Sequence, residues 1–297
     1  MQSMEDLVPD RLRALWSRVE AGQLSVERAQ ISEAQLLGEY GAIWTEALLR
    51  EGESDLKASL LGELAAYLRC PDLRALEARC RRVGGELRDA WQRTVRQDDR
   101  RSIEQFYDRS EGYLCDLTWW HTLEDDLSPL AYALALDFAR RRPGRRYLDF
   151  GSGVGAGAIL FARHGFAVGL ADISSTLLRF SECRLGQRQL TGEIIDLKTR
   201  ALPGQRFDLI TAMDVFEHLA EPVEVVDQLV AALDAGGYLF GRFAADPDPE
   251  RPQHIVFDFE PTLRRLSALG FAEVWRDDWL WGHRVFQKPH PSRMVRH

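Results

Sequence analysis

Gly151, Gly153, Gly155 and Gly157 alternate with small residues at the end of the run Tyr147-Leu148-Asp149-Phe150, and an apolar stretch follows them. Glycines allow the backbone a sharp turn and a close approach to a ligand, and a helix N-terminus just after them favours an anionic group. A strand, a glycine turn including Ser152 and then a helix thus imply a nucleotide-like ligand. Gly151, Gly153 and Ala156 also satisfy GxGxxA, so the turn alone leaves an NAD(P)-dependent oxidoreductase open. Three acids add to it. Asp149 stands two residues before the first glycine, Asp172 follows about twenty residues into the motif, where a carboxylate can grip both ribose hydroxyls, and Asp196 ends a further apolar run. All three are expected to line one crevice.

A second group carries proton chemistry. His218, His254 and His121 are the candidate bases, since an imidazole with a pKa near 6.5 suits proton removal. Asp214, Glu217 and His218 form a D-x-x-E-H cluster at the start of an expected helix. Tyr107, Tyr113, Trp119, Trp120 and His121 crowd into one short stretch. Aromatic residues usually pack in cores, but Trp120 and His121 are candidates for a lid that shields a reacting pair from water. Trp275, Trp279 and Trp281 are expected to pack against the helical part of the chain.

The elements that must position these residues follow from hydrophobic period. Up to about Leu136 apolar residues recur at three- and four-residue spacing, as in Leu56, Leu60, Leu61, Leu64 and Leu68, which predicts helices. Gly52, Pro71 and Gly84-Gly85 are expected breaks between them. From Arg146 short apolar strands alternate with amphipathic helices, the pattern of a parallel sheet covered on both faces. Strands are expected at 146–150, 167–171, 193–196, 207–212 and 238–243, with helices at 156–164, 174–185, 222–233 and 261–269. Gly236-Gly237 is expected to cap the helix at 222–233. Two last strands near 271–276 and 282–287 are too close for a crossover and must pair antiparallel. The fold class is α/β: a mainly parallel seven-stranded sheet with an antiparallel terminal hairpin, preceded by an all-α N-terminal domain. The expected division is a helical domain at 1–104 and a ligand-binding domain at 105–297.

Over roughly residues 105–290 the chain resembles the class I S-adenosylmethionine-dependent methyltransferases, in particular the branch of the ubiquinone-pathway O-methyltransferases, whose domain is Rossmann-like. LDFGSGVG resembles the first motif, which implies Asp149 near the methionine amino group and Gly151, Gly153 and Gly155 under the cofactor. LADIS implies Asp172 on the ribose and Ile173 beside the adenine. IDLKT implies Asp196 and Leu197 at the adenine edge and face, and FDLITAMDVFEHL puts Met213 and Asp214 beside the methionine moiety. WWH resembles a segment that lies over the active site in the same branch, which adds Trp120. The resemblance implies methyl transfer from S-adenosylmethionine to a small-molecule acceptor, leaving S-adenosylhomocysteine, with His218, Glu217, His254 and His121 as catalytic candidates. In-line displacement draws much of its acceleration from positioning, and a base helps where a hydroxyl or ammonium must lose a proton. Some relatives carry E-x-x-E-H where this chain has Asp214, Glu217 and His218, and such a cluster with a later histidine, here His254, holds a divalent metal in plant small-RNA terminal methyltransferases. The aspartate departs from that pattern, and helix capping with hydrogen bonds beside the cofactor is the preferred reading of Glu217 and His218. The helical segment is expected to dimerise the chain or to cover the acceptor pocket.

Composition narrows the classes. A net charge of -8 and the lack of a Lys/Arg field interleaved with aromatics argue against nucleic acid and an RNA methyltransferase. The arginines at 140–142, 145 and 146 read as a solvated linker between a helix and a strand. No apolar run approaches the roughly 18 residues of a membrane span, and a cytoplasmic location is the expectation. Cys70, Cys80, Cys115 and Cys183 contain no CxxC pair and read as buried thiols. A non-catalytic nucleoside-binding module remains an alternative.

Overall fold

The computed structural model describes residues 7–290. Among the described residues seven α-helices precede the sheet: α1 (Val8–Glu20), α2 (Val26–Leu48), α3 (Leu56–Leu68), α4 (Leu73–Thr94), α5 (Arg100–Arg109), α6 (Gly112–Trp120) and α7 (Ala131–Arg140). Local chemistry sets several of their starts. Asp55, Asp72 and Asp99 accept the backbone N–H of Ala58, Ala75 and Arg101 at 2.7, 3.0 and 3.0 Å, satisfying donors that a helix N-terminus leaves free. Gly52 and Pro71 fall between helices, as expected. Gly84-Gly85 does not break the chain but lies inside α4. Leu76, Cys80, Val83, Leu87 and Trp91 of α4 are all buried at three- or four-residue spacing, and burying that stripe outweighs about 1 kcal/mol of lost propensity per glycine.

The sheet contains β1 (Arg146–Phe150), β2 (Ala167–Asp172), β3 (Gly192–Asp196), β4 (Phe207–Ala212), β5 (Leu233–Arg242), β6 (Ala272–Arg276) and β7 (His283–Gln287), in the order β3-β2-β1-β4-β5-β7-β6. The first five pair in parallel, and β7 runs antiparallel to both β5 and β6. Between strands lie α8 (Ala156–Arg163), α9 (Ser175–Gln187), α10 (Pro222–Ala232) and α11 (Glu260–Ala268). The expected C-cap at Gly236-Gly237 is corrected: α10 ends at Ala232 and the chain enters β5 at once. There β4 and β5 lose register, with Phe207 opposite Leu233 but Leu209 opposite Tyr238. The extra residues loop out, Gly236 takes φ +75°, and a Cβ on Gly237 would lie 3.0 Å from the Asp234 carbonyl oxygen. The glycines therefore serve a bulge.

Three apolar clusters tie the parts together. One covers a face of the sheet with residues of α2, α7 and α8, including fully buried Trp44 and Phe161. A second lies on the other face beneath α10 and α11. A third joins α3, α4 and α6 to Val154, Leu177 and Phe180, so the helices pack directly on the glycine turn. Trp275 follows the expectation for the hairpin, its Nε1 donating to Asp10 of α1 at 2.9 Å. Among the described residues no helix is long and apolar enough to cross a membrane.

Candidate active site

Strand order reverses between β1 and β4, and a crevice opens at the carboxyl ends of the strands there, the usual ligand position of open α/β sheets. Its volume is about 1480 Å³, above the roughly 300–1,000 Å³ of single-ligand pockets. At one end is the glycine turn. Gly151, Gly153 and Gly155 have φ of +69°, +51° and +73°. A Cβ on Gly151 would stand 2.5 Å from Val215 Cγ2, and one on Gly153 would stand 2.7 Å from Leu117 Cδ1. The Gly151 N–H donates to the Ala171 carbonyl at 2.8 Å, locking the turn to β2. Asp172 accepts the Gly153 N–H at 2.9 Å and the Ser174 N–H at 2.8 Å, one on each carboxylate oxygen. Each oxygen keeps a further lone pair for a ligand. Burial pushes this carboxyl up to about 6. Ser152, whose buried hydroxyl has no protein partner, lines the crevice with Asp172, Ile173, Leu197, Met213, Asp214 and Trp120.

Asp149, Gly155 and Asp196 stand outside this lining. Asp149 lies beneath the turn, accepting the Ala158 N–H at 3.1 Å and the Thr211 hydroxyl at 3.3 Å. Asp196 accepts the Ser175 hydroxyl at 2.8 Å, one residue short of Leu197 on the wall. Burial pushes the Asp149 carboxyl up to about 7, against the pull of its hydrogen bonds. An unfolded aspartate ionises near 3.9, so from pH 4 to 7 the folded state holds the extra proton and stability falls as pH rises. Relative to an Asp149→Asn variant, whose amide oxygen can accept the Ala158 N–H while its NH2 donates to the Thr211 oxygen, the wild type is expected to lose about 1.4 kcal/mol per pH unit between 5 and 6 and less above that. Buried His121 and His283, pushed down to about 3 and 4, act in the opposite sense below pH 6.5 but cancel in the comparison. Parallel melting curves for the two proteins across that range would contradict this.

A second part of the crevice wall is built on the 3₁₀ turn Phe216–His218, where a helix start was expected; α10 begins four residues later at Pro222. The backbone N–H groups of Ile255 and Val256 donate to the Glu217 carbonyl at 2.8 and 3.1 Å, pinning the Pro/Asp-rich loop to the turn. That puts the His254 ring 4.8 Å from the His218 ring. His218 Nδ1 lies 3.0 Å from the Gln253 carbonyl oxygen and 2.9 Å from the Tyr107 hydroxyl. A carbonyl only accepts, so in the tautomer that satisfies Gln253 the Nδ1 carries the proton and Nε2 keeps its lone pair. Burial pushes His218 down to about 4, and the ring is neutral near pH 7.

Glu217 does not cap a helix. It is fully buried, neither carboxylate oxygen has a partner, and burial followed by repulsion from Asp214 pushes it up to about 8. Ligand atoms of Glu217, His218 and His254 lie within 4.8 Å of one another. Asp214 is instead committed to Arg242, whose Nη1 donates to it at 2.6 Å. His121 reaches the crevice wall but is packed between Trp44 and Trp120, with neither ring nitrogen bonded. Trp120 donates to Ser128 Oγ at 3.0 Å and closes the wall beside it.

Some wall residues escaped the sequence reading. Arg242 ends β5 on the same edge as Asp172, and applying the strand-end rule to the fifth strand would have found it. His283 of β7 stands opposite Arg242 of β5 in the antiparallel pair. Trp279 and Trp281, expected to pack on the helices, both line the crevice, and Trp281 also packs against the apolar cluster that contains residues of α2 and α7. Asp277 accepts the N–H groups of Trp279, Leu280 and Trp281 and so folds the hairpin loop over it.

A glycine turn and a strand-end acid at the switch point, opposite an imidazole, invite comparison with known proteins. A family model described as a methyltransferase domain matches residues 119–296, more than half of the chain. The chain belongs to the methyltransferase-domain family. Ubiquinone biosynthesis O-methyltransferase of Coxiella burnetii is 32% identical over 99 residues, 33% of this chain and 42% of that one. Its counterpart in Albidiferax ferrireducens is 30% identical over 131 residues, 41% of this chain and 52% of that one. The chain thus spans about half the length of the curated relatives it matches. Among solved structures, Haemonchus contortus phosphoethanolamine N-methyltransferase 2 in complex with S-adenosyl-L-methionine aligns with a TM-score of 0.50 at 17% identity, covering 63% of this chain and 60% of that one. That likeness bears on the fold alone.

Proposed function

We propose that the crevice binds S-adenosylmethionine at the glycine turn and directs its methyl group to the oxygen or nitrogen of a small-molecule acceptor held near His218. The observation that carries this reading is one continuous crevice joining the turn and Asp172 to a histidine whose Nε2 is free to take a proton. When bound, S-adenosylmethionine supplies an electrophilic methyl carbon on a positively charged sulfur. Asp172, pinned by two backbone N–H groups, accepts from the ribose hydroxyls, while Ile173 and Leu197 flank the adenine. Met213 and Asp214 border the methionine end, and Asp149 and Gly155 shape the turn from below. His218 removes the acceptor's proton, and Trp120, Trp279 and Trp281 keep water out. Residues 105–297 are the donor-binding domain in this assignment. Residues 1–104 are its cover, since Leu87 of α4 and Arg100, Ile103 and Glu104 of α5 complete the crevice wall.

Calorimetry and thermal melting with S-adenosylhomocysteine, and with NAD⁺ or NADP⁺ in parallel, test the assignment. A ligand at about 100 times its Kd adds roughly 2.7 kcal/mol of stability. Heat and stabilisation are expected with the nucleoside only. Stabilisation by a dinucleotide instead, or by neither ligand, would end the assignment.

A divalent cation among Glu217, His218 and His254 is the second reading, favoured by the unpartnered buried carboxylate of Glu217. Two imidazoles and one carboxylate suit Zn²⁺ or Mn²⁺ better than Mg²⁺. Titration of chelator-treated protein with each ion separates the readings: no binding below millimolar concentration leaves His218 as a metal-free base.

A further inference from the structure

Behind the glycine turn lies a buried ionic cluster that the chemistry above does not use. Arg184 of α9 and Glu63 of α3 have side chains 2% and 1% exposed, and the Arg184 Nε donates to Glu63 Oε2 at 3.1 Å. The Nη1 of the same guanidinium donates at 2.6 Å to the carbonyl of Val154, between Gly153 and Gly155. One helical turn on, Arg188 donates to both oxygens of Glu63 and to the Leu48 carbonyl at the end of α2. Ser181, also on α9, places its hydroxyl 3.0 Å from the Gly153 carbonyl and 2.9 Å from the Leu177 carbonyl, so its one proton is shared between them. The Val154 carbonyl is thus held from behind by Arg184, and a planar peptide whose C=O is fixed has its N–H fixed as well.

Stability does not account for this cluster. Burying charges carries a heavy desolvation cost, and replacing a buried ionic triad with apolar side chains is often neutral or stabilising. What apolar side chains cannot do is hold the Val154 carbonyl, which the guanidinium does with Nη1 while a second nitrogen, Nε, holds Glu63. We propose that Glu63 and Arg184 are positioning residues through which the helical segment sets the affinity of the glycine turn for S-adenosylmethionine. This rests on the turn binding that ligand.

The test is a triple apolar variant, Glu63→Leu with Arg184→Met and Arg188→Met, measured by melting and by calorimetry with S-adenosylhomocysteine. A melting temperature at or above wild type with a Kd raised about tenfold is expected, together with a raised KM for the donor and kcat changed less than twofold. An unchanged Kd in the folded triple variant would overturn the proposal. Should the triple variant not fold, Arg184→Lys decides, because it keeps the charge beside Glu63 but its single nitrogen cannot occupy both the Nε and the Nη1 positions from which Arg184 holds Glu63 and the Val154 carbonyl. The same tenfold loss supports the proposal and an unchanged Kd overturns it. Absence of heat with wild-type protein is a separate result, which removes the donor assignment itself.

Discussion

A Gly151→Ala variant is expected to lose binding of S-adenosylhomocysteine by a factor of at least about 30 and to melt at a lower temperature than wild type. Two costs combine. Gly151 has φ +69°, a conformation that costs an L-residue about 1–2 kcal/mol. The added Cβ would stand 2.5 Å from Val215 Cγ2, and Val215 is β-branched with little rotamer freedom, so the turn must move; overpacking of this kind typically costs about 1–3 kcal/mol. Movement breaks the hydrogen bond from the Gly151 N–H to Ala171 and displaces the backbone that a nucleoside must approach. About 2 kcal/mol in binding corresponds to the thirtyfold loss. Gly165→Ala separates the two causes, since Gly165 has φ +81° with nothing within 4 Å of its added Cβ. It is expected to lower stability by the backbone term alone and to bind S-adenosylhomocysteine as wild type does. Equal binding by wild type and Gly151→Ala would show that the ligand does not lie against this turn.

That the turn could be found without coordinates follows from the kind of signal it carries. Tyr147 to Phe150 is apolar enough for a strand buried on both faces, the glycines follow at once, and Asp172 ends the next strand. Each feature is local or one crossover away. Phe207–Ala212 was legible for the same reason, and its observed bounds are those expected from its apolar run. Signals failed where a tertiary contact outweighed a local preference. Gly84-Gly85 reads as a break over a few residues, yet α4 is carried through it by a stripe of buried side chains against α6 and the turn. Gly236-Gly237 reads as a helix cap because a bulge needs the same positive φ. The site residues missed share one property: their role is a partner far away in sequence. Asp214 finds Arg242 28 residues on, and Glu63 finds Arg184 121 residues on. Trp279 and Trp281 face the crevice only because Asp277 turns the hairpin loop over it, which hydrophobic period does not encode.

The largest effect on turnover is expected at His218. In a His218→Asn variant the side-chain amide can donate to the Gln253 carbonyl as Nδ1 does now, so the 3₁₀ turn keeps its anchor while the Nε2 lone pair is lost. General-base catalysis contributes typically about 10²–10⁴ in rate, and kcat with a proton-bearing acceptor is expected to fall by about that factor. The Kd for S-adenosylhomocysteine is expected to change less than twofold, because the glycine turn and Asp172, and not the His218 ring, hold the nucleoside in this assignment. An acceptor that arrives already deprotonated, such as a thiolate, needs no base and is expected to show a loss below tenfold. Glu217→Gln distinguishes the base from a metal ligand at the same place. The amide preserves the shape of a buried side chain that no protein group contacts by hydrogen bonding, so a metal-free base predicts kcat within a few-fold of wild type. A cation shared by Glu217, His218 and His254 predicts that both variants lose activity together and that added Mn²⁺ or Zn²⁺ partly restores Glu217→Gln. A His218→Asn enzyme as fast as wild type on a hydroxyl acceptor would remove the imidazole from the chemistry, leaving positioning alone to carry it.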